Sequence, residues 1–378
     1  MTPENETELS EAVQGAAGPL RVVGGGTRPV GHDVVGEVLS TSGMSGIVDY
    51  EPGALTLVAG AGTPVQEIEA ALAAEKQRLA FEPMDYRALM GTTGTPTIGG
   101  VVAANVSGPR RISVGACRDF LLGVRFVDGT GRVLKNGGRV MKNVTGYDLV
   151  KLMAGSRGTL GVLSEVSLKV LPVPETEATL ILHGQEAGEA VAAMSAALGS
   201  PYEVTGAAYL PQVAGESPDV MLRLEGFEAS VAYRLGALEA VLSSYGDMSV
   251  VRGDASREAW SRVRDVEMFA AGDGDVWRIS LKPSDAPDIL ERMGEDVRVQ
   301  LDWGGGLIWA MGTAGQDLRA RLEPFRGHAT LMRASAQTRG AIAVFQPEPA
   351  PLGKISQGLR DKFDPRGILN PGLMGRLL

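Results

Sequence analysis

Short apolar runs alternate with glycine-rich turns from residue 20 to residue 170, and the alternation predicts strands. Leu20–Val23 is one, running directly into Gly24-Gly25-Gly26-Thr27. Gly46–Tyr50 and Leu55–Ala59 are two more, joined by the turn Glu51-Pro52-Gly53. Thr63 offers an N-cap for a helix reaching Lys76, with Pro64 in the first helical position and Gln66 three residues on. Leu121–Val127 reads as a strand that turns through Asp128-Gly129-Thr130-Gly131 into Arg132–Lys135. Asp148–Met153 predicts a short helix ending near Gly155, and Thr159–Val170 a buried strand.

The run Leu171-Pro172-Val173-Pro174-Glu175 breaks this pattern and predicts a domain boundary. After it come a strand at Thr179–Leu182, an amphipathic helix at Ala187–Leu198, and strands at Ala207–Leu210 and Val220–Glu225. A helix over Ser230–Tyr245 and a strand at Ser249–Arg252 complete a β-α-β-β-α-β order, which suggests a ferredoxin-like module. Val276–Leu281, Ala286–Met293, Val297–Trp303, Gly306–Gly312, Gly315–Leu322 and Ala329–Arg333 prolong the α+β pattern. The tail from Ser356 reads as a helix followed by Phe363-Asp-Pro-Arg-Gly-Ile-Leu-Asn-Pro-Gly372. No repeat of fixed period is visible.

Composition narrows the function classes. The 378 residues include 51 glycines, where average usage of ~7% gives roughly 26. There is no G-X-Y period, and a hydrophobic fraction of 44% excludes a disordered low-complexity chain. The surplus points to tight turns or to backbone that approaches a ligand closely. A net charge of −9 and only 5% aromatics argue against a nucleic-acid partner. The single cysteine, Cys117, excludes an intrachain disulfide and a multi-cysteine iron–sulfur or zinc site, and fits a reducing compartment. Met1–Glu11 carries glutamates and no Lys or Arg, unlike a signal peptide. Ala88–Pro109 is uncharged and long enough to span a bilayer. Its glycines and prolines identify it instead as a buried functional loop system.

Three segments carry the chemistry. In Arg21-Val-Val-Gly24-Gly25-Gly26-Thr27-Arg28, glycines leave N–H groups uncovered after a strand, as in a phosphate-binding nest. The alternative is a plain strand-to-loop turn. The Rossmann fingerprint fails at Pro29, and no Gly-Lys-Ser/Thr follows to make a P-loop. From Gly91 to Arg111 small residues and Thr, Asn and Ser donors dominate, which fits backbone threading around a flat polar ligand better than a core helix. Asn143-Val-Thr-Gly146-Tyr147-Asp148 and Gly155, Gly158 and Gly161 let a strand start against a planar object. A helix C-cap and a bulge are the alternative for these glycines.

In this order and at these separations, the segments resemble the FAD-binding domain of the vanillyl-alcohol-oxidase, or PCMH-type, flavoproteins. Gly108-Pro-Arg-Arg111, Arg118-Asp-Phe, Lys142-Asn-Val-Thr-Gly-Tyr-Asp148 and Leu152-Met-Ala-Gly-Ser resemble the FAD-binding subunit of glycolate oxidase. So do Gly158-Thr-Leu-Gly-Val-Leu, Asp302-Trp-Gly-Gly305, Gly327-His-Ala-Thr-Leu331 and Phe363-Asp-Pro…Leu369-Asn-Pro-Gly372. The resemblance implies an α+β fold: a PCMH-type FAD-binding domain of two α/β subdomains at 1–175 and a smaller ferredoxin-like α+β cap at 176–340. A C-terminal segment, 341–378, would pack back on the FAD domain. Val22, Gly24, Gly25, Gly26, Thr27 and Arg28 would hold the FAD pyrophosphate. Thr93, Gly94, Thr95, Gly99 and Gly100 would add phosphate and flavin contacts. Asn105, Ser107, Gly108 and Gly115 would lie along the cofactor, Gly158, Gly161 and Val162 beside its ring system, and Pro83 near the ring edge.

Two departures qualify the resemblance. Members that tether FAD covalently carry a His where this chain has Gly26, so the FAD is expected to be non-covalent, and His32 does not match that position. Related metal-assisted hydroxyacid dehydrogenases carry a His-x-His-type pair. This chain has only His32, His183 and His328, so a complete zinc-assisted site is not expected and no catalytic residue is assigned. His328 reads as a hydrogen-bonded histidine at a domain seam, Tyr147 as packed on the helix it precedes, and Cys117 as a small buried hydrophobe. Arg110 and Arg111 read either as ligand or partner contacts or as a solvated surface pair.

The resemblance implies oxidation of glycolate to glyoxylate within a complex. A larger FAD-linked flavoprotein subunit and an iron–sulfur subunit would be the partners. The location would be the cytoplasm, with a peripheral position at the inner face of the cell membrane through the complex as an alternative. A self-sufficient FAD-dependent 2-hydroxyacid dehydrogenase and a flavin-free structural subunit are the other readings.

Overall fold

The computed structural model describes residues 1–138, 146–211 and 218–375. Lys142, Asn143 and Thr145 lie outside the described residues. Strands β1 (Leu20–Val23) and β2 (Glu37–Ser40) pair in parallel. Strands β3 (Ile47–Glu51), β4 (Thr56–Gly60), β6 (Leu121–Val127), β7 (Val133–Gly137) and β8 (Val162–Lys169) form a five-stranded antiparallel sheet. Its order is β3-β4-β8-β6-β7, and β4 is buried along its whole length. The two-residue strands β5 (Gln77–Arg78) and β9 (Leu171–Pro172) pair beside it.

An N-terminal helix, Glu6–Gly15, was not foreseen in the acidic start of the chain. The Asn5 side chain accepts a hydrogen bond from the Glu8 N–H at 3.0 Å and caps it. Leu9 and Val13, one turn apart, pack with Leu20, Leu39, Val127 and Leu369. Glu6 is not merely solvated: it accepts from Arg125 Nε at 2.8 Å.

Two other local expectations are corrected. The Thr63 hydroxyl does not cap the following helix, Val65–Ala74. It donates to the Gly60 carbonyl at 2.7 Å and accepts from the Gly46 N–H at 2.9 Å, which ties the strand ends together. Ile98–Ala103, inside the stretch read as a loop system, is a short helix capped by Thr97. Glycine is required at position 99 because a Cβ there would stand 2.6 Å from the Ala61 carbonyl oxygen.

The second sheet has eight strands: β10 (Thr176–His183), β11 (Gly206–Leu210), β12 (Asp219–Gly226), β13 (Met248–Arg252), β14 (Asp275–Leu281), β15 (Arg298–Asp302), β16 (Leu307–Gly312) and β17 (Gly327–Arg333). Their order is β13-β10-β12-β11-β15-β16-β14-β17, antiparallel throughout. Each half is a β-α-β-β-α-β unit, and the two halves join through their second strands, β11 and β15. The ferredoxin-like order read for the first half thus recurs in the second, without a repeat in the sequence.

Directly opposed residues on neighbouring strands share a face. Arg278 opposes both Trp309 and Thr330, so these three face one way, while Trp277 faces the other, where Arg319 stacks on it. The Trp309 face looks toward the first sheet unit: Trp309 meets Tyr86 at 6.5 Å between ring centroids, and Trp303 Nε1 donates to the Gly108 carbonyl at 3.0 Å.

That seam holds a buried ion network. Glu177 and Glu225 stand opposite one another on β10 and β12, a repulsive arrangement by itself. Arginines resolve it. Arg110, read as a candidate surface residue, is buried: its Nε lies 2.8 Å from Glu225 and its Nη1 2.6 Å from Glu82. Arg223 reaches Glu82 at 2.9 Å and Arg78 reaches Glu225 at 2.6 Å. Glu82, Arg78 and Arg110 come from the first sheet unit, and Arg223, Glu225 and Glu177 from the second, so the network is a latch between them. Burial would raise the Glu225 carboxyl, but Arg223 and Arg110 outweigh it and hold the group well below the usual carboxylate range.

Removing one member of a buried ion network leaves its partners uncompensated. We expect Glu225→Gln to cost about 3–5 kcal/mol in chemical denaturation at pH 7. Because the folded-state pKa is depressed, this contribution is present above the ordinary carboxylate value of 4.5 and is lost as pH falls below it. The wild type therefore loses more stability than the variant as pH falls from 5 to 3, and equal slopes over that window would contradict the latch.

Candidate cofactor site

A cleft of about 260 Å³ opens where β1 runs into residues 24–34. Residues 97–104 form its second wall, residues 157–163 its third, and Asn370 and Leu373 return from the C-terminus to close it. The return is anchored by backbone. Leu369 bridges Leu20, and the Asn370 side chain accepts from the Val22 N–H at 2.8 Å and donates to the Arg157 carbonyl at 2.9 Å.

The glycines of the first loop do two different jobs. A Cβ at Gly24 would run into the Thr97 hydroxyl, one at Gly25 into the Thr95 carbonyl, and one at Gly94 into the Gly25 carbonyl. These glycines let residues 24–25 press against residues 94–97. Gly26 is different: it has φ +69° and nothing within 4 Å of where a Cβ would stand. Among the described residues, no hydrogen bond takes up the backbone N–H groups of residues 25–28. A turn with free N–H groups facing a cleft is an anion cradle.

The electrostatics agree. Arg28 lies over the Tyr86 ring at 4.8 Å and donates to the Gly100 carbonyl at 2.7 Å. Burial pushes the Arg157 guanidinium down to about 10, with Arg28 as the next cause. Neither arginine forms an ion pair among the described residues. The cleft's acid, Asp33, faces Arg339 at 3.2 Å. A chain of net charge −9 thus presents a positive groove.

Of the residues singled out from the sequence, Val22, Gly24, Gly25, Gly26, Thr27, Arg28, Gly99, Gly100, Gly158 and Gly161 line this cleft together. The others stand elsewhere. Thr93, Gly94 and Thr95 belong to the loop behind residues 24–27, where the neighbouring Thr92 donates to the Thr27 carbonyl at 3.0 Å. Asn105 accepts from the Arg118 N–H, and Ser107 from the Cys117 N–H, each at 2.9 Å. Gly108 supports Trp303, and Gly115 has φ +95° beside Asp119. Pro83 lines a second cavity, of about 370 Å³, with the latch residues Glu82, Arg110 and Arg223. Val162 is fully buried with Leu9 and Leu20.

Met84, Tyr86, Arg157 and Asn370 line the cleft without having been singled out from the sequence, whereas Thr97 lies in the Thr-rich stretch from Gly91 to Arg111. Arg157 and Asn370 stood inside motifs that had been noticed, Gly155–Gly161 and Leu369-Asn-Pro-Gly372. Tyr86 carried no local signal. Tyr147 is 89% exposed and not packed on the next helix, because Asp148 is the residue that caps it. His328 is exposed, and its imidazole makes no hydrogen bond among the described residues. Partial burial and the neighbouring Arg278 and Arg111 hold its imidazole below the ordinary value. Cys117 is buried, and burial pushes its thiol up to about 12.

Free N–H groups, a side-chain-free Gly26, two half-buried arginines and a flanking aromatic suit an elongated ligand with a phosphate middle and a flat end. The fold and this cleft define a PCMH-type FAD-binding protein. Residues 1–137 match the FAD binding domain family. The chain is 38% identical over 361 residues to the glycolate oxidase subunit GlcE of Escherichia coli, covering 94% of this chain and 92% of that one. It belongs to that family of FAD-dependent oxidoreductases. A D-lactate dehydrogenase of Anaerostipes hadrus is 33% identical over 178 residues, 47% of this chain and 34% of that one. Among solved structures, the 4-ethylphenol oxidase of Gulosibacter chungangensis aligns with TM-score 0.70 at 14% identity, over 99% of this chain and 88% of that one, and supports the fold.

Gly26→Ala is the sharpest probe of the cradle. It puts a methyl group into open cleft space at a positive φ, and the backbone strain should cost only about 1–2 kcal/mol. We expect the variant to fold but to purify with a several-fold lower flavin-to-protein absorbance ratio. A full flavin complement would contradict the assignment.

Proposed function

We propose that this chain is the FAD-binding subunit of a multi-subunit glycolate oxidase or dehydrogenase, oxidising glycolate to glyoxylate. The observation that carries the reading is the kinship with GlcE along 94% of the chain, together with a cleft whose donors suit a dinucleotide. Bound FAD supplies the electron acceptor for removing two electrons from a CH–OH group. The chain's own contribution is placement. The free backbone N–H groups of residues 25–28 hold the pyrophosphate, Val22 and Gly24 line the cleft beside it, Thr93–Thr95 brace that loop, and Gly99, Gly100, Gly158 and Gly161 keep the walls close to the cofactor. Asn105, Ser107, Gly108, Gly115, Val162 and Pro83 stand outside the lining of this cleft. Without a histidine at position 26, the cofactor is non-covalent.

The functional division follows the two sheets. Residues 1–175 bind FAD, residues 176–340 form a cap, and residues 341–378 close the cofactor cleft. One cysteine cannot hold an iron–sulfur relay, so electrons leave to an iron–sulfur partner subunit, beside a larger flavoprotein subunit. Among the described residues, no helix is long and apolar enough to cross a membrane. We assign the chain to the cytoplasm, reaching the inner face of the membrane through its complex. A second reading, a self-sufficient 2-hydroxyacid dehydrogenase, draws on the D-lactate dehydrogenase relative.

The test is the visible spectrum of the purified chain. We expect a flavin spectrum, release of the flavin into the supernatant on acid precipitation, and no bleaching by glycolate until the partner subunits are added. A colourless chain would overturn the FAD assignment, and flavin retained in the acid pellet would overturn the non-covalent one. Bleaching by glycolate with the chain alone would favour the self-sufficient enzyme.

A further inference from the structure

The arginines of the latch all meet carboxylates. Two others at the same seam do not. Arg111 and Arg278 stack on one indole, with guanidinium carbons 4.5 Å and 5.0 Å from the Trp303 ring centroid. Among the described residues, neither guanidinium donates a hydrogen bond or forms an ion pair. Trp303 is a fixed platform. It is 8% exposed, its Nε1 is held by the Gly108 carbonyl, and its own N–H donates to Asp302 at 2.7 Å.

Their position makes the pair more than a structural accident. Arg278 sits mid-strand in β14 on the face turned toward the cofactor cleft, opposite Trp309. Trp309 meets Tyr86, which lines the cleft. The exposed His328 on β17 completes the rim. Two like charges on one indole repel, and partial burial strengthens the repulsion. For Arg111, burial and then Arg278 favour the neutral form, although each guanidinium keeps its proton near neutral pH. The nearby acids do not compensate. Asp119 is shared with Arg118 and Lys151. Asp302 is pushed up to about 7 by burial, so it stays partly protonated.

We propose that Arg111 and Arg278 form the subsite for the carboxylate of a small 2-hydroxyacid, held against the Trp303 platform at the mouth of the cofactor cleft. This rests on the proposed function for the identity of the substrate, but the anion site is carried by this geometry alone. Guanidinium forks match a carboxylate in two parallel hydrogen bonds, and the bound anion relieves their mutual repulsion. The FAD phosphates, at residues 25–28, use a different cradle.

The test uses oxalate, a short dianion without an oxidisable CH–OH, titrated calorimetrically into the purified full-length chain, with glycolamide as the neutral analogue. We expect oxalate to bind and glycolamide not to. Arg278→Gln and Arg111→Gln should each weaken oxalate at least tenfold while keeping the wild-type flavin content and an unchanged or higher melting temperature. Arg278→Lys, which keeps the charge but loses the fork, should lie between Gln and wild type. Wild-type oxalate affinity in both Gln variants would overturn the proposal, as would loss of flavin from either folded variant, which would assign the pair to the cofactor. A colourless chain that still binds oxalate through these arginines would leave this subsite standing and overturn the proposed function instead.

Discussion

The arrangement depends on a buried charge network between two sheets. Glu177 and Glu225 face each other on neighbouring strands, and Arg110 and Arg78 cross the seam to neutralise them. Glu82 crosses the other way to Arg223. Such a network adds little net stability over well-packed apolar residues, but breaking it is costly. Its directionality sets register. Each guanidinium fork accepts one placement of its carboxylates, so the eight-stranded sheet meets the first unit in one orientation. That orientation brings Trp309 onto Tyr86 and the arginine-bearing face of β14 toward the cleft.

The same seam therefore carries two kinds of arginine. Where carboxylates are built in, the charges lock the fold. Where they are not, at Arg111 and Arg278, two guanidiniums share an indole and await an anion from outside. The first kind depresses a carboxyl, Glu225. The second leaves like charges side by side, an arrangement that costs stability and is explained by a ligand. The proposed FAD cradle follows similar logic with backbone: N–H groups of residues 25–28 are left free where the chain could have paired them.

Local periodicity made most strands legible. Leu121–Val127 coincides with β6, and the β-α-β-β-α-β order of the cap's first half follows from alternating apolar runs. The motif-rich loops were legible too, because glycines at 24–26, 99–100, 158 and 161 interrupt the apolar alternation of the segments around them. What escaped was non-local. The helix Glu6–Gly15 offers only Leu9 and Val13 as apolar anchors, and its capping and its Arg125 partner are set by folding. The joining of the cap's halves through β11 and β15 rests on one pair, Tyr209 and Leu301. Arg110 beside Arg111 shows the limit most plainly. Adjacent residues of one type part company, one into the latch and one onto Trp303, and no pattern within the sequence separates them.

The most direct measurement of the account is a crystal structure of the purified chain grown with FAD. The pyrophosphate should lie within hydrogen-bonding distance of the N–H groups of residues 25–28, with the flavin end directed toward Tyr86 and the Arg278 face of β14. FAD in the opposite direction along the cleft, or a cleft left empty at saturating FAD, would contradict it.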